Sequence, residues 1–320
     1  MNKFNIIIPV YNEGNNLKFL IPYILNLNLP NLEKIYIVDS NSTDNTCQII
    51  KFFLKRYSNI VYIREETRNG KSRAINKALK CIKKGIVVIH SADCFTTRDS
   101  LLKLVNTIKN DVGASMLCAE PILEKNSVHE KLSYYSWIVS NETCDELSRM
   151  GILCHIGNDV FAFNREIIDE IKENVVNDDS YIALKITMKG FKIVFLNDAK
   201  VKIKATSNFH DYLKQRLRIN YGHKINKKIT NFYSTTLKNL FFIKPNMAFR
   251  ILFKSLIKYF PESIFYIPLL IFVELISEFF LLLRLYSFDF VKWPIAYSTK
   301  EIFKLNEEIF KTYGHRRMEE

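Results

Sequence analysis

Glycine and proline are scarce, nine and eight in 320 residues, and no glycines combine into GxGxxG or into a P-loop with its lysine. That absence disfavours a dinucleotide-binding or kinase-type phosphate cradle. The six cysteines, Cys47, Cys81, Cys94, Cys118, Cys144 and Cys154, form no CxxC pair and no zinc-ligand spacing. They read as small buried groups in a reducing compartment, not as a disulfide framework or a thiolate metal site. No signal peptide is read, because Met1-Asn2-Lys3 runs straight into a short apolar strand. There is no internal repeat, no low-complexity linker, and no helix-turn-helix, zinc-finger or RNA-binding signature. Acids are lacking in one stretch above all: residues 201–260 hold thirteen Lys and Arg against one acid, Asp211.

In bulk the composition is that of a globular protein, with 48% apolar and 25% charged residues. The length admits one large domain, or a domain with an extension. Net charge is +13, yet residues 1–200 carry 26 bases against 23 acids, so most of the excess comes from 201–260. A local excess of that size points to an anionic partner, with nucleic acid and an acidic lipid headgroup layer as candidates.

The N-terminal half alternates β-rich apolar runs with helical patterns, which predicts a mostly parallel sheet covered by helices. Strands are expected at Asn5–Val10, Ile35–Val38, Ile60–Ile63 and Gly85–His90. Between them, Leu17, Leu20, Ile21, Ile24 and Leu25 recur at helical spacing, with Pro22 expected to kink or shorten the helix. Ser42-Thr43-Asp44 offers N-cap chemistry to a helix buried through Ile49, Ile50, Phe53 and Leu54, and Ala74, Ile75, Ala78, Leu79 and Ile82 mark a third helix. The pattern loosens over 111–165 and resumes at Ile167–Ile171, Ile182–Met188 and Ile193–Leu196.

Four motifs follow one another. Ile6-Ile7-Ile8-Pro9-Val10-Tyr11-Asn12-Glu13 and Ile37-Val38-Asp39-Ser40-Asn41-Ser42-Thr43-Asp44 both sit at carboxyl ends of strands, where open α/β sheets bind ligands. Asp39 has the chemistry to accept hydrogen bonds from a base or ribose; the plainer reading is a loop and helix cap. Taken with the three motifs below, these residues resemble a family 2 inverting glycosyltransferase of the GT-A fold, from Asn5 to about Gly222. The resemblance implies a nucleotide-sugar donor, with Asp39 at the nucleoside and Pro9, Tyr11 and Glu13 lining the same pocket. Asn69-Gly70-Lys71-Ser72-Arg73-Ala74-Ile75-Asn76 is similar to the family's GKxxAxN segment and places Lys71 and Arg73 near the diphosphate; alone, it reads as a basic first helical turn. Ser91-Ala92-Asp93 resembles the family's DxD metal motif with its first acid replaced, leaving Asp93 to hold Mg²⁺ or Mn²⁺. His90 and Cys94 beside it are expected to pack.

Asp178-Asp179 resembles the ED motif, which makes Asp179 the catalytic base, its pKa raised by the neighbouring charge. Two acids capping the following helix, expected near Ser180, are the local alternative. Gln215-Arg216-Leu217-Arg218 resembles QxxRW with Ile219 in place of tryptophan, which implies non-processive transfer and puts Gln215 and Arg218 at the donor. His210 is a possible further metal ligand, or a lone surface histidine. Gly157-Asn158 and Asn164-Arg165-Glu166 resemble the acceptor-side region.

Beyond residue 205 the chain is basic and aromatic, and 264–286 is long and apolar enough to cross a bilayer. Glu274 and Glu278 lie in its middle, where acids are costly, and Lys254, Lys258, Lys292, Lys300 and Lys304 flank it without bias. Helices lying in the cytoplasmic membrane interface are therefore preferred. A single span and an amphipathic subdomain packed on the catalytic domain are the other readings. The expectation is thus a GT-A catalytic domain over 1–222 and a helical extension over 223–320, moving sugar from a UDP- or GDP-sugar to a hydroxyl of a glycan or lipid-linked acceptor held at the membrane. A donor-binding pseudoenzyme, motivated by Ser91, and a nucleotidyltransferase are the rivals.

Overall fold

A computed structural model describes residues 3–157, 159–292, 297–300 and 302; Asn158 and Lys304 lie outside them. The first half runs β1 (Phe4–Val10), α1 (Gly14–Asn26), β2 (Leu32–Asp39), α2 (Thr46–Leu54), β3 (Ile60–Arg64), α3 (Lys71–Cys81) and β4 (Ile86–His90). These strands pair in parallel, in the order β3-β2-β1-β4. Ile6 and Ile8 bury on one face of the sheet and Ile7 on the other, the period-2 consequence of a strand covered on both sides. Pro22 lies inside α1 without ending it, because Leu17, Leu20, Ile21 and Ile24 are all buried and hold the helix against the sheet. The expected shortening does not occur.

The second half continues with β5 (Cys94–Thr96), α4 (Arg98–Thr107), β6 (Val112–Ile122), α5 (Val128–Arg149), β7 (Val160–Asn164), α6 (Asp178–Met188) and β8 (Lys192–Lys204). The sheet extends through β7, β6, β8 and β5. In it β7 runs antiparallel to both neighbours, and β6 and β8 run parallel. Three of these elements fill the stretch 111–165 where the sequence pattern loosens. Ile167–Ile171, in contrast, is neither helix nor strand, and its isoleucines plug the core from a loop.

The C-terminal part is helical: α7 (Phe209–Thr230), α8 (Leu237–Ile243), α9 (Pro245–Lys258) and α10 (Ser263–Leu282). Residue 222 falls inside α7, which runs unbroken past it. Leu240, Ala248 and Ile251 join the core on the α3–α6 face of the sheet, while Tyr266, Ile267 and Leu270 pack with Leu132 and Tyr135 of α5 and with Tyr212. Of the cysteines, Cys94, Cys118 and Cys144 are buried as expected, whereas Cys81 is exposed.

Candidate active site

One cavity of about 630 Å³ opens at the carboxyl ends of β1 and β4 and extends between α5, α7 and α10. Pro9, Tyr11, Glu13, Lys71, Asp93, Asp179, Gln215 and Arg218 all line it, so eight of the residues singled out from sequence converge on one space.

Its first wall is built from two loops stitched together. The Asn12 N–H donates to Ser42 Oγ (2.9 Å), the Thr43 N–H to Asn12 Oδ1 (2.9 Å), and the Glu13 N–H to Thr46 Oγ1 (2.9 Å). Asp39 lies behind this wall, not on it. It is fully buried, accepting from the Ser42 N–H (2.8 Å) and the Tyr62 hydroxyl (2.9 Å), which is the loop-holding geometry. Arg68, not singled out from sequence, stacks its guanidinium 3.8 Å over the Tyr11 ring and also lines the cavity.

Lys71 opens α3 behind Gly70, whose φ of +93° suits glycine. Its Nζ turns inward to Asp178 Oδ2, 3.5 Å away. Burial alone would lower this ammonium, but the Asp178, Asp179 and Asp159 carboxylates outweigh it and hold the pKa above its ordinary value. Arg73 points the other way: it is half-exposed, pairs with Glu173 and does not line the cavity. Two residues further along a helix, a side chain has turned by more than half a circle, so only one of the two bases serves the site.

Asp93 follows β4, and its carboxyl is pushed up to about 7 by burial first and then by the Asp159 charge. Asp159 was not legible in the sequence. It immediately precedes β7, whose Val160 pairs with His90 of β4, and that register sets it against Ser91. The Ser91 N–H donates to the Asp159 carbonyl (3.0 Å) and Ser91 Oγ to Asp159 Oδ1 (3.2 Å). A carboxylate thus lies beside position 91, brought there by the residue that precedes β7. His90 and Cys94 are buried beneath, as expected. His210 is exposed at the start of α7 and does not line the cavity; the histidines that do are His155 and His223, both held neutral by burial.

Asp178 and Asp179 form the first turn of α6, two residues before the expected start, where the helix dipole favours negative charge. Burial first, then the Asp178 charge, raise Asp179 to about 7. Asn177 ties this turn to α7, donating to the Ile219 carbonyl (2.9 Å) and accepting at its own carbonyl from Asn226 (2.9 Å). On α7, Gln215 and Arg218 project into the cavity, and Gly222, one turn beyond Arg218, meets Asn177. A Cβ there would lie 2.4 Å from the Asn177 side chain.

Four carboxylates, Asp93, Asp159, Asp178 and Asp179, therefore share their surroundings with two cations, Lys71 and Arg218. Among the described residues no group of three His, Cys, Asp or Glu side chains is arranged around a metal. A two-carboxylate donor set still suits a hard divalent cation whose remaining ligands come from phosphate oxygens and water.

Comparison with known proteins gives the class. The description "Glycosyl transferase family 2" matches residues 5–172. The chain belongs to glycosyl transferase family 2. By class it is a glycosyltransferase, and its fold is GT-A. An O-antigen chain rhamnosyltransferase of Salmonella anatum is 22% identical over 63% of this chain and 66% of that protein. A beta-monoglucosyldiacylglycerol synthase of Nostoc sp. is 31% identical over 34% of this chain and 24% of its own length. The mannosyltransferase PcManGT of Pyrobaculum calidifontis, solved with GDP-Man and Mn²⁺, has a TM-score of 0.60 at 20% identity, covering 89% of this chain and 81% of that one. The family 2 chain thus spans about two thirds of the rhamnosyltransferase's length.

Proposed function

We propose that this family 2 protein moves a sugar, with inversion, from a UDP- or GDP-sugar to a hydroxyl of a membrane-held acceptor. The observation that carries the reading is Asp179, raised to about 7 at the wall of a cavity that also holds Lys71, Arg218, Asp93 and Asp159. A carboxylate with a pKa near the working pH takes the acceptor hydroxyl proton efficiently. Lys71 and Arg218 offset the charge that develops on the departing diphosphate. Asp93 and Asp159 would hold Mg²⁺ or Mn²⁺, which supplies Lewis-acid stabilisation of the leaving group when bound. Tyr11 with Arg68 offers a flat platform for the base, held in place by Asp39 from behind.

Two observations support a membrane-held acceptor. The cavity is lined in part by the apolar side chains Trp137, Phe241, Leu252, Ile267 and Leu270. Outside it, Phe249, Phe253, Ile257, Phe265, Phe272 and Phe279 of α9 and α10 are each more than half exposed, an apolar surface larger than scattered single residues make. α10 is long and apolar enough to cross a membrane, but its acids face the protein. Glu274 pairs with Arg216 and accepts from Asn220 (2.8 Å); Glu278 pairs with Lys224 (2.7 Å) and Lys238 (2.5 Å). This arrangement supports a helix lying in the interface with its other face in lipid, and a division of labour between 1–222 for chemistry and 223–320 for anchorage.

The test is Asp179→Asn, assayed against a panel of UDP- and GDP-sugars with Mn²⁺ and lipid extract. Transfer should fall by roughly 10²–10⁴ while calorimetry finds nucleoside diphosphate binding retained. In the native chain the rate should rise with pH through about 7, because only the deprotonated carboxylate accepts a proton. Undiminished transfer by a folded Asp179→Asn chain would remove the base assignment.

A further inference from the structure

The segment after α10 returns over the cavity. Phe290 stacks on Tyr221, ring centroids 4.4 Å apart, and packs with Val176, Leu217 and Leu281. Next to it, the Val291 carbonyl comes so close to Gly70 that a Cβ there would sit 2.4 Å from its oxygen. Further on, the Ser298 N–H donates to Asp211 Oδ2 (2.9 Å), and Ile302 is fully buried in the core on the α1–α4 side of the sheet. Between these two anchors Lys292, Thr299 and Lys300 line the cavity. Lys300 reaches furthest in: its Nζ pairs with Glu13 Oε1 and lies 3.6 Å from Asp93 Oδ2.

An ammonium at Asp93 occupies space that a metal-bound diphosphate needs, and it sits directly against the carboxylate read as the metal ligand. Resting on the reading of Asp93 as a metal ligand, we infer that residues 288–292 and 298–300 act as an autoinhibitory strap whose Lys300 ammonium stands in for the divalent cation and must leave before it binds. The two forms exclude one another by charge and by volume. Placing a unit charge within 4 Å of Lys300 costs enough, even in a partly solvated pocket, to separate them. The anchors are local, Phe288, Phe290 and Val291 at one end and Ser298 and Ile302 at the other, so their release is a local opening distinct from unfolding of the domain.

The test uses the full chain with Mn²⁺ alone as the probe. Calorimetric titration should find Mn²⁺ bound about tenfold or more tightly by Lys300→Gln than by the native chain, with Lys300→Arg close to native. In the native chain, amine-reactive labelling of Lys300, read by mass spectrometry, should rise several-fold on saturation with Mn²⁺. Equal Mn²⁺ affinity in Lys300→Gln, or Mn²⁺ binding that leaves Lys300 shielded, overturns the strap and leaves the metal assignment standing. Absence of Mn²⁺ binding in all three chains overturns both.

Discussion

On the proposed reading, Ser91 and Asp159 would divide between them what one aspartate does in the resembled metal motif. Ser91 contributes two hydrogen bonds and no charge; Asp159 contributes the carboxylate. Their substitutions should therefore differ in size. Asp159→Asn is expected to weaken Mn²⁺ binding by more than Ser91→Ala, which should lose about tenfold as an orienting partner; titration with Mn²⁺ of each purified variant decides it. If Ser91→Ala cost more, the charge would have to come from elsewhere. Asp159 was invisible in sequence because its place depends on β7 pairing antiparallel with β4, a long-range register that no local spacing encodes. Asp179, Lys71, Asp93, Gln215 and Arg218 were legible because each lies within a motif whose local geometry is self-contained. Arg73 and Asp39 belong to the same motifs, yet side-chain direction and burial took them away from the cavity surface.

At the scale of elements, the joint between α6 and α7 sets Asp179 near Arg218. Gly222 meets Asn177 there. Gly222→Ala should cost about 1–3 kcal/mol by overpacking, measured as a shift of the urea midpoint. In an Asn177→Ala background the same change should cost less, because the atoms it meets are gone. Additive costs would show that the contact is not what forbids a Cβ. Two of the elements that sequence reasoning missed, β6 and α5, bury polar residues. β6 carries Gly113 and Ser115 in the middle of the sheet, with Ser115 satisfied by the Leu104 carbonyl (2.7 Å), so no alternation shows. α5 buries Glu130, Glu142 and Thr143, which erases its amphipathic stripe. Only its Ser127–Glu130 capping box survived as a local signal.

For the whole molecule, the basic stretch over 201–260 means something different in space than along the chain. Seven of its thirteen bases, Lys204, Arg216, Lys224, Lys238, Arg250, Lys254 and Lys258, make ion pairs with acids outside the stretch. Glu142 and Glu146 of α5 and the two acids of α10 supply most of the partners. About half of this local excess of +12 is thus internal glue, and the exposed phenylalanines of α9 and α10 are the surface that suits a membrane. Liposome co-sedimentation should then tolerate added salt, whereas a purely electrostatic attachment would be screened. Phe253→Glu with Phe272→Glu should reduce the bound fraction about tenfold or more while leaving the melting temperature within a few degrees of native. Binding that vanishes in 0.5 M salt but survives the double substitution would reverse that order.

The acids of α10 carry one more consequence. Pulling this helix into hydrocarbon would strand Arg216, Lys224 and Lys238 together with Glu274 and Glu278, five charges left without partners, and each is costly to desolvate alone. Hydropathy counts a crossing, but the pairs moor the helix to α7, the same rod that aims Gln215 and Arg218. A helix so moored cannot shift on its own: any displacement of α10 is passed through Arg216 and Lys224 to the cavity wall that Gln215 and Arg218 line.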